Sequence, residues 1–248
     1  MGVMQQDEDL TDAPITNGLQ LWLDAADSST LFDSTTGGST PANNGAVARW
    51  EDKSGNANHA TQTIANERPL RITNDTNGND VVLFDGVNDW FSLASSIDLS
   101  LTGNLTTFAV HKRNSSGIVN TDLNDLDSPQ RYAIFWWIND KITHANGNLS
   151  KRIKSSSSID TGVFLLEAQN HRSKADPTKL FRNGTEIQKG DVGDATGSYE
   201  SIGKRAFSSG LFTEGEICEI THYNQELTTQ EITDERNRLA NKWGVALV

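Results

Sequence analysis

From Leu19 onward, apolar residues occur in short runs separated by clusters of Gly, Asn, Asp and Ser. Short runs bounded by turn-formers predict many brief strands, the pattern of an all-β sandwich. The clearest runs are 19–23, 81–84, 90–93, 105–111, 132–138, 163–170, 179–181, 201–203 and 216–223. Leu19, Leu21 and Leu23 alternate with Gln20 and Trp22, and Phe108 and Val110 alternate with Thr107 and Ala109, so each run turns one set of side chains inward. Between residues 181 and 187, Asn183-Gly184 predicts a two-residue hairpin, because this pair tolerates the positive φ angles of a type I′ turn. Residues 33–45 and 114–130 read as long loops, which on a rigid sandwich are either functional or tolerated insertions.

One segment breaks the strand pattern. Thr228 and Glu231 form a capping box, Leu227 and Ile232 can make a hydrophobic staple, and Ile232, Leu239, Ala240 and Trp243 recur on one helical face before Gly244. This predicts a helix over 229–243 whose stripe packs on the sandwich edge. Residues 1–18 are polar and acidic without periodicity, and they read as a flexible arm that orders only against a partner. Residues 19–248 then form one domain, a length that sandwiches reach as a single unit.

Composition narrows the partners. The net charge of -12 disfavours phosphate backbones, so no nucleic-acid partner is expected, and the basic stretch 151–154 reads as surface decoration. Cys218 is the sole cysteine, which rules out an intrachain disulfide, and between Ile217 and Ile220 it reads as a packed thiol. No apolar run approaches the roughly 18–20 residues that cross a bilayer, and residues 1–18 lack a signal-peptide pattern, so no membrane insertion is expected.

Several stretches together resemble the concanavalin-A-like, or laminin-G-like, jelly-roll domains of bacterial surface proteins and phage virion proteins. They are Leu21-Trp22-Leu23-Asp24-Ala25-Ala26-Asp27, then Trp50-Glu51-Asp52-Lys53-Ser54-Gly55-Asn56-Ala57-Asn58-His59-Ala60, then Phe84-Asp85-Gly86-Val87-Asn88-Asp89, and finally 215–244 with Glu219, Tyr223, Leu227 and Trp243. The resemblance implies a two-sheet antiparallel jelly-roll sandwich with one C-terminal α-helix. Because this sandwich hosts lectins, adhesins, enzymes and virion proteins, it does not decide among functions. The expectation is a non-catalytic binding or structural module, foremost a phage-type virion component (capsid decoration or tail fibre) that contacts proteins or surface glycans. The alternative is a lectin-like carbohydrate-binding module of a bacterial surface protein, and the third reading is a glycoside hydrolase or polysaccharide lyase. A homo-oligomer on a virion or cell surface is expected, with virion or surface proteins and glycans as partners.

Candidate chemistry is sparse. Glu214, Glu216 and Glu219 are the carboxylates to test for glycosidic cleavage, which in retaining enzymes needs two carboxyls about 5–5.5 Å apart. Simple strand alternation puts Glu214 and Glu216 on one face and Glu219 on the other, and in the resembling family a carboxylate at the place of Glu219 recurs without enzymatic duty. Glu219 is therefore a candidate for glycan or partner contact, with Trp90, Trp136 and Trp137. Trp136 and Trp137 are adjacent on a predicted strand and so face opposite ways, which leaves one outside the core as a glycan platform, partner contact or loop lid. No cofactor is required, but calcium is an option at Asp85, Asn88 and Asp89, whose other reading is a turn bonded to its own backbone. The histidines lack zinc-ligand spacing, and no Gly-x-Ser-x-Gly elbow occurs.

Overall fold

The computed structural model describes residues 12–98, 104–114, 120–127, 132–138, 141–145, 152–159, 161–170, 177–192, 198–204 and 212–248. In chain order the strands are β1 (Leu19–Asp24), β2 (Leu31–Phe32), β3 (Gly45–Ala46), β4 (Arg49–Trp50), β5 (Ala60–Thr61) and β6 (Leu70–Thr76). Then come β7 (Asn79–Asp85), β8 (Phe91–Asp98), β9 (Leu105–Arg113), β10 (Asn120–Asp127), β11 (Tyr132–Ile138) and β12 (Lys141–Ala145). The last are β13 (Arg152–Lys154), β14 (Gly162–Asn170), β15 (Thr178–Arg182), β16 (Thr185–Gly190), β17 (Ser198–Ile202) and β18 (Glu214–Tyr223), followed by the helix α1 (Thr229–Trp243).

Among the described residues all pairings are antiparallel, and they build two sheets. One runs β16-β15-β14-β9-β18-β7-β6-β3 with β1 added beside β18, and the other runs β13-β12-β11-β10-β17-β8-β5-β4-β2. The predicted fold class holds: an all-β, two-sheet antiparallel sandwich with one C-terminal helix. Leu21, Leu23, Trp50, Phe84, Phe91, Ala109, Ile217 and Ile220 are among the fully buried apolar side chains of a single core. Trp50, Phe84 and Phe91 meet edge to face, with ring centroids 6.5 and 5.9 Å apart. No helix among the described residues is long and apolar enough to cross a membrane.

Local predictions and their limits are visible in the elements. Asn183 and Gly184 have φ of 50° and 82° and join β15 to β16, as the two-residue turn requires. The reading of 114–130 as a loop is corrected: β10 lies within it, paired to β11 on one side and β17 on the other. A ladder on both edges outweighs the poor strand preference of its Asn and Asp residues. Residues 12–18, read from sequence as part of a flexible arm, are packed against the sandwich. Pro14 is buried, Ile15 packs on the core, the Asn224 amide donates to the Gly18 carbonyl (3.0 Å), and Arg238 donates to the Asp12 carbonyl (3.2 Å).

Helix α1 begins with the predicted capping box at Thr228 and Glu231 and stops at Gly244 in the left-handed region. It lies over the outer face of the first sheet, not on an edge. Arg236 reaches Glu167 on β14 (2.6 Å), Thr221 on β18 donates to Glu235 (2.9 Å), and Trp243 donates to Glu219 (2.8 Å). The buried face therefore carries Glu235 and Arg238 beside the predicted Ile232, Leu239, Ala240 and Trp243. The β6–β7 hairpin closes the helix end, where Asn77 and Asn79 donate to the Lys242 carbonyl at 3.0 and 2.8 Å.

Candidate functional site

Four of the sequence candidates fall together at one rim. Asp85 ends β7, and its Oδ1 accepts from the amides of Val87 (2.8 Å), Asn88 (3.1 Å) and Asp89 (3.3 Å). Asp89 returns the contact, its Oδ2 accepting from the Asp85 amide at 3.0 Å. The turn reading of Asp85, Asn88 and Asp89 is thus what the structure shows. Asp85 Oδ1 and Asp89 Oδ2 are each taken up by backbone N–H groups, as a turn bonded to its own backbone requires. Among the described residues no group of three or more His, Cys, Asp or Glu is placed to hold a metal. Burial, with the charge of Asp85 behind it, raises the Asp89 carboxyl to about 6.

This turn is bolted to the segment before β6. Asn88 donates its side-chain amide to the Asn66 carbonyl (2.8 Å), the Trp90 amide donates to the Glu67 carbonyl (3.2 Å), and Gln62 donates to the Trp90 carbonyl (3.1 Å). The Trp90 indole is half-buried, with Nε1 donating to Glu67 Oε2 at 2.9 Å and the Lys204 ammonium 3.9 Å from the ring centroid. Ile64 and Val87, on the two joined loops, are 48% and 70% exposed. An oriented indole on joined loops that also carry two exposed aliphatic residues suits contact with a ligand that has both apolar and polar faces.

Glu219 is elsewhere, and its role is corrected. It is fully buried beneath α1, where its Oε1 meets Trp22 Nε1 and Arg238 Nη1, each at 2.8 Å. Its Oε2 meets Trp243 Nε1 at 2.8 Å and Lys242 Nζ at 3.1 Å. No glycan or partner reaches this carboxylate; it holds the helix to the sheet. Asp24 shares the task, bridging Lys53 (2.9 Å) and Lys242 (2.8 Å).

Strand alternation also misplaced the glutamates. On β9, Lys112 pairs with Glu216 and Val110 with Glu219, with a register shift between Ile217 and Glu219. Lys112 and Val110 are two residues apart and share a face, so the bulge at Cys218 brings Glu216 and Glu219 to that same outer face. Glu216 lies past the helix end. Its Oε1 accepts from Asn114 (2.9 Å), and its carboxyl is raised chiefly by burial, while Lys112, paired with Asp75, stands 3.7 Å away. Cys218 is fully buried, and burial, aided by the Glu216 charge, pushes its thiol well up, as a packed cysteine requires. Trp136 and Trp137 pair with Thr143 and Ile142 across β11 and β12, but their side chains lie outside the described residues.

Sequence reading missed a second polar spot. Asp12, Asn77, Asn79, Arg238, Asn241 and Lys242 line an open cleft of about 310 Å³ between the end of α1 and the β6–β7 hairpin. These residues come from three distant segments, and their one local signal is the Asn77-Gly78-Asn79 turn.

No protein-family model and no curated protein sequence matches the chain. Solved structures do. A Trypanosoma rangeli sialidase in complex with sialic acid matches with a TM-score of 0.60 at 13% identity, over 93% of this chain and 34% of that one. The binding domain of botulinum neurotoxin serotype D/C matches with a TM-score of 0.53 at 11% identity, over 90% and 53%. The binding domain of Paraclostridial Mosquitocidal Protein 1 matches with a TM-score of 0.60 at 11% identity, over 91% and 53%. The chain spans about a third of the sialidase and about half of the binding domains. At these identities the likeness establishes fold. The expectation that the chain is not an enzyme is corrected on this point: the matching sandwich occurs in Trypanosoma rangeli sialidase structures, so the fold is one that an enzyme also carries. The chain is similar in fold to β-sandwich portions of sialidases and clostridial toxin binding domains.

Proposed function

We propose that the chain is a carbohydrate-recognition module of the concanavalin-A-like type, displayed by a cell-surface or virion protein, and that the Trp90 rim is its contact surface. The observation that carries this reading is the fixed, half-buried indole of Trp90, anchored by Glu67 on joined loops that also expose Ile64 and Val87. A sugar ring offers an apolar face to an aromatic residue and hydroxyls to its polar neighbours, and a held ring gives up little entropy on binding. The fold neighbours support it: one is a sialidase in complex with sialic acid, and two are toxin binding domains. An array of immobilised glycans probed with the labelled chain tests the reading. Selective binding to a related set of glycans is expected, and no binding to any of them contradicts it.

The exposure of Val87 and Ile64 favours a second reading, in which the rim seals against another protein, such as a neighbouring copy in a virion lattice. Light scattering separates the two. A stable closed oligomer that dissociates on Val87→Asp supports the protein contact, and a monomer that binds glycans supports the first reading.

A further inference from the structure

We propose that the cleft between the end of α1 and the β6–β7 hairpin is a second saccharide subsite, for a neutral polyhydroxylated ligand, and that Asp12 of this chain sits across its mouth. The inference rests on the carbohydrate reading and adds a site at the opposite end of β7 from the Trp90 rim. Its volume of about 310 Å³ is at the small end of ligand pockets, which suits roughly a mono- or disaccharide.

The lining fits hydroxyl groups. Asn77 and Asn79 spend their amide nitrogens on the helix-end carbonyl of Lys242, which fixes both side chains and leaves their oxygens as acceptors. Asn241, exposed on the last turn of α1, offers an amide with both a donor and an acceptor. Fixed amides facing a small cleft are matched by the paired donor and acceptor character of sugar hydroxyls.

Charge selects against an anionic ligand. Lys242 is already met by Asp24 at 2.8 Å and Glu219 at 3.1 Å, and Arg238 by Glu219 and Glu235, each at 2.8 Å. Both cations are matched from below, so an incoming carboxylate meets no unpaired positive charge and faces Asp12 as well. The chain as a whole carries -12, which adds to that repulsion.

Asp12 is a removable cover. Its Oδ1 lies 3.2 Å from Lys242 Nζ and its carbonyl accepts from Arg238 at 3.2 Å, but its side chain is 73% exposed. A pairing so open to solvent is weak and easily displaced.

The test is a nitrogen-15 NMR titration of the whole chain with maltose, cellobiose and lactose as neutral probes and sialyllactose as the anionic one. The side-chain amide signals of Asn77, Asn79 and Asn241 are expected to shift with at least one neutral probe and less with the anionic one. Asp12→Ala is expected to tighten that binding severalfold, and Asn241→Trp, which fills the cleft from an exposed position, to abolish the shifts with the thermal midpoint unchanged. Shifts confined to the Trp90 indole overturn the cleft and leave the carbohydrate reading standing. Silence at both places overturns both, and cleft shifts that survive Asn241→Trp overturn the assignment of the site.

Discussion

Arg238 Nη1 lies 2.8 Å from Glu219 Oε1, with the two side chains only 5% and 0% exposed. This contact joins the helix to the centre of the sheet. Trp22, Trp243 and Lys242 complete the shell around the same carboxylate. Desolvating such a set is costly, and removing one member leaves the others buried without their counter-charge.

Glu219→Ala is therefore expected to destabilise the chain by roughly 3–5 kcal/mol, the range for breaking a buried ion pair from one side. Glu219→Gln keeps the shape and one acceptor, so it is expected to lose less. Urea unfolding of the three proteins checks the order, and a loss near zero for the alanine variant contradicts the structural role.

The pH dependence has opposing parts. Burial lowers His222 to about 4, and burial with the nearby Arg113 charge lowers His111 to about 3. The unfolded chain binds protons at these histidines below about 6.5 while the folded chain does not, so stability falls as pH drops from there, by about 1.4 kcal/mol per pH unit for each. Asp89, raised to about 6, acts in the opposite sense: the folded state holds its proton between about 4 and 6, and that stabilising contribution is lost as pH rises through 6. Asp89→Asn is expected to stabilise the protein at pH 7 and to steepen its loss of stability on acidification. Unfolding curves at several pH values check both, and an unchanged slope contradicts the assignment.

The end of α1 gives a third test. Gly244 has φ of 68°, and a Cβ there would sit 3.1 Å from the Asn77 side chain that caps the helix. Gly37 has a similar φ of 62° but nothing within 4 Å of such a Cβ. Gly244→Ala is expected to lose roughly 1–2 kcal/mol and Gly37→Ala less, since only the first adds a clash to the backbone strain. Equal losses would mean that the cap contact contributes nothing.

What the sequence showed and what it hid divide along the range of the interactions. The capping box at Thr228 and the Asn183-Gly184 turn are local chemistry, complete within four residues, and both appear as expected. Asp85 was legible for the same reason, since its bonds close within the turn. The bulge at Cys218 left no local mark, because an extra residue is defined by what β9 and β7 place opposite it. The seat of α1 was hidden because its buried face includes Glu235 and Arg238, which pattern reading assigns to solvent. The cleft at Asn77, Asn79 and Asn241 draws on segments more than 150 residues apart, beyond any spacing rule.

The carbohydrate reading stands most directly on Trp90. Titration calorimetry of the strongest glycan from the array, against the native chain and Trp90→Ala, tests it, with Lys204→Ala as a milder variant that alters the ring's environment and keeps the ring. A loss of roughly ten- to a hundredfold in affinity for Trp90→Ala, with its unfolding transition intact, is the expected result. Affinities that agree within experimental error, with both proteins folded, would contradict it.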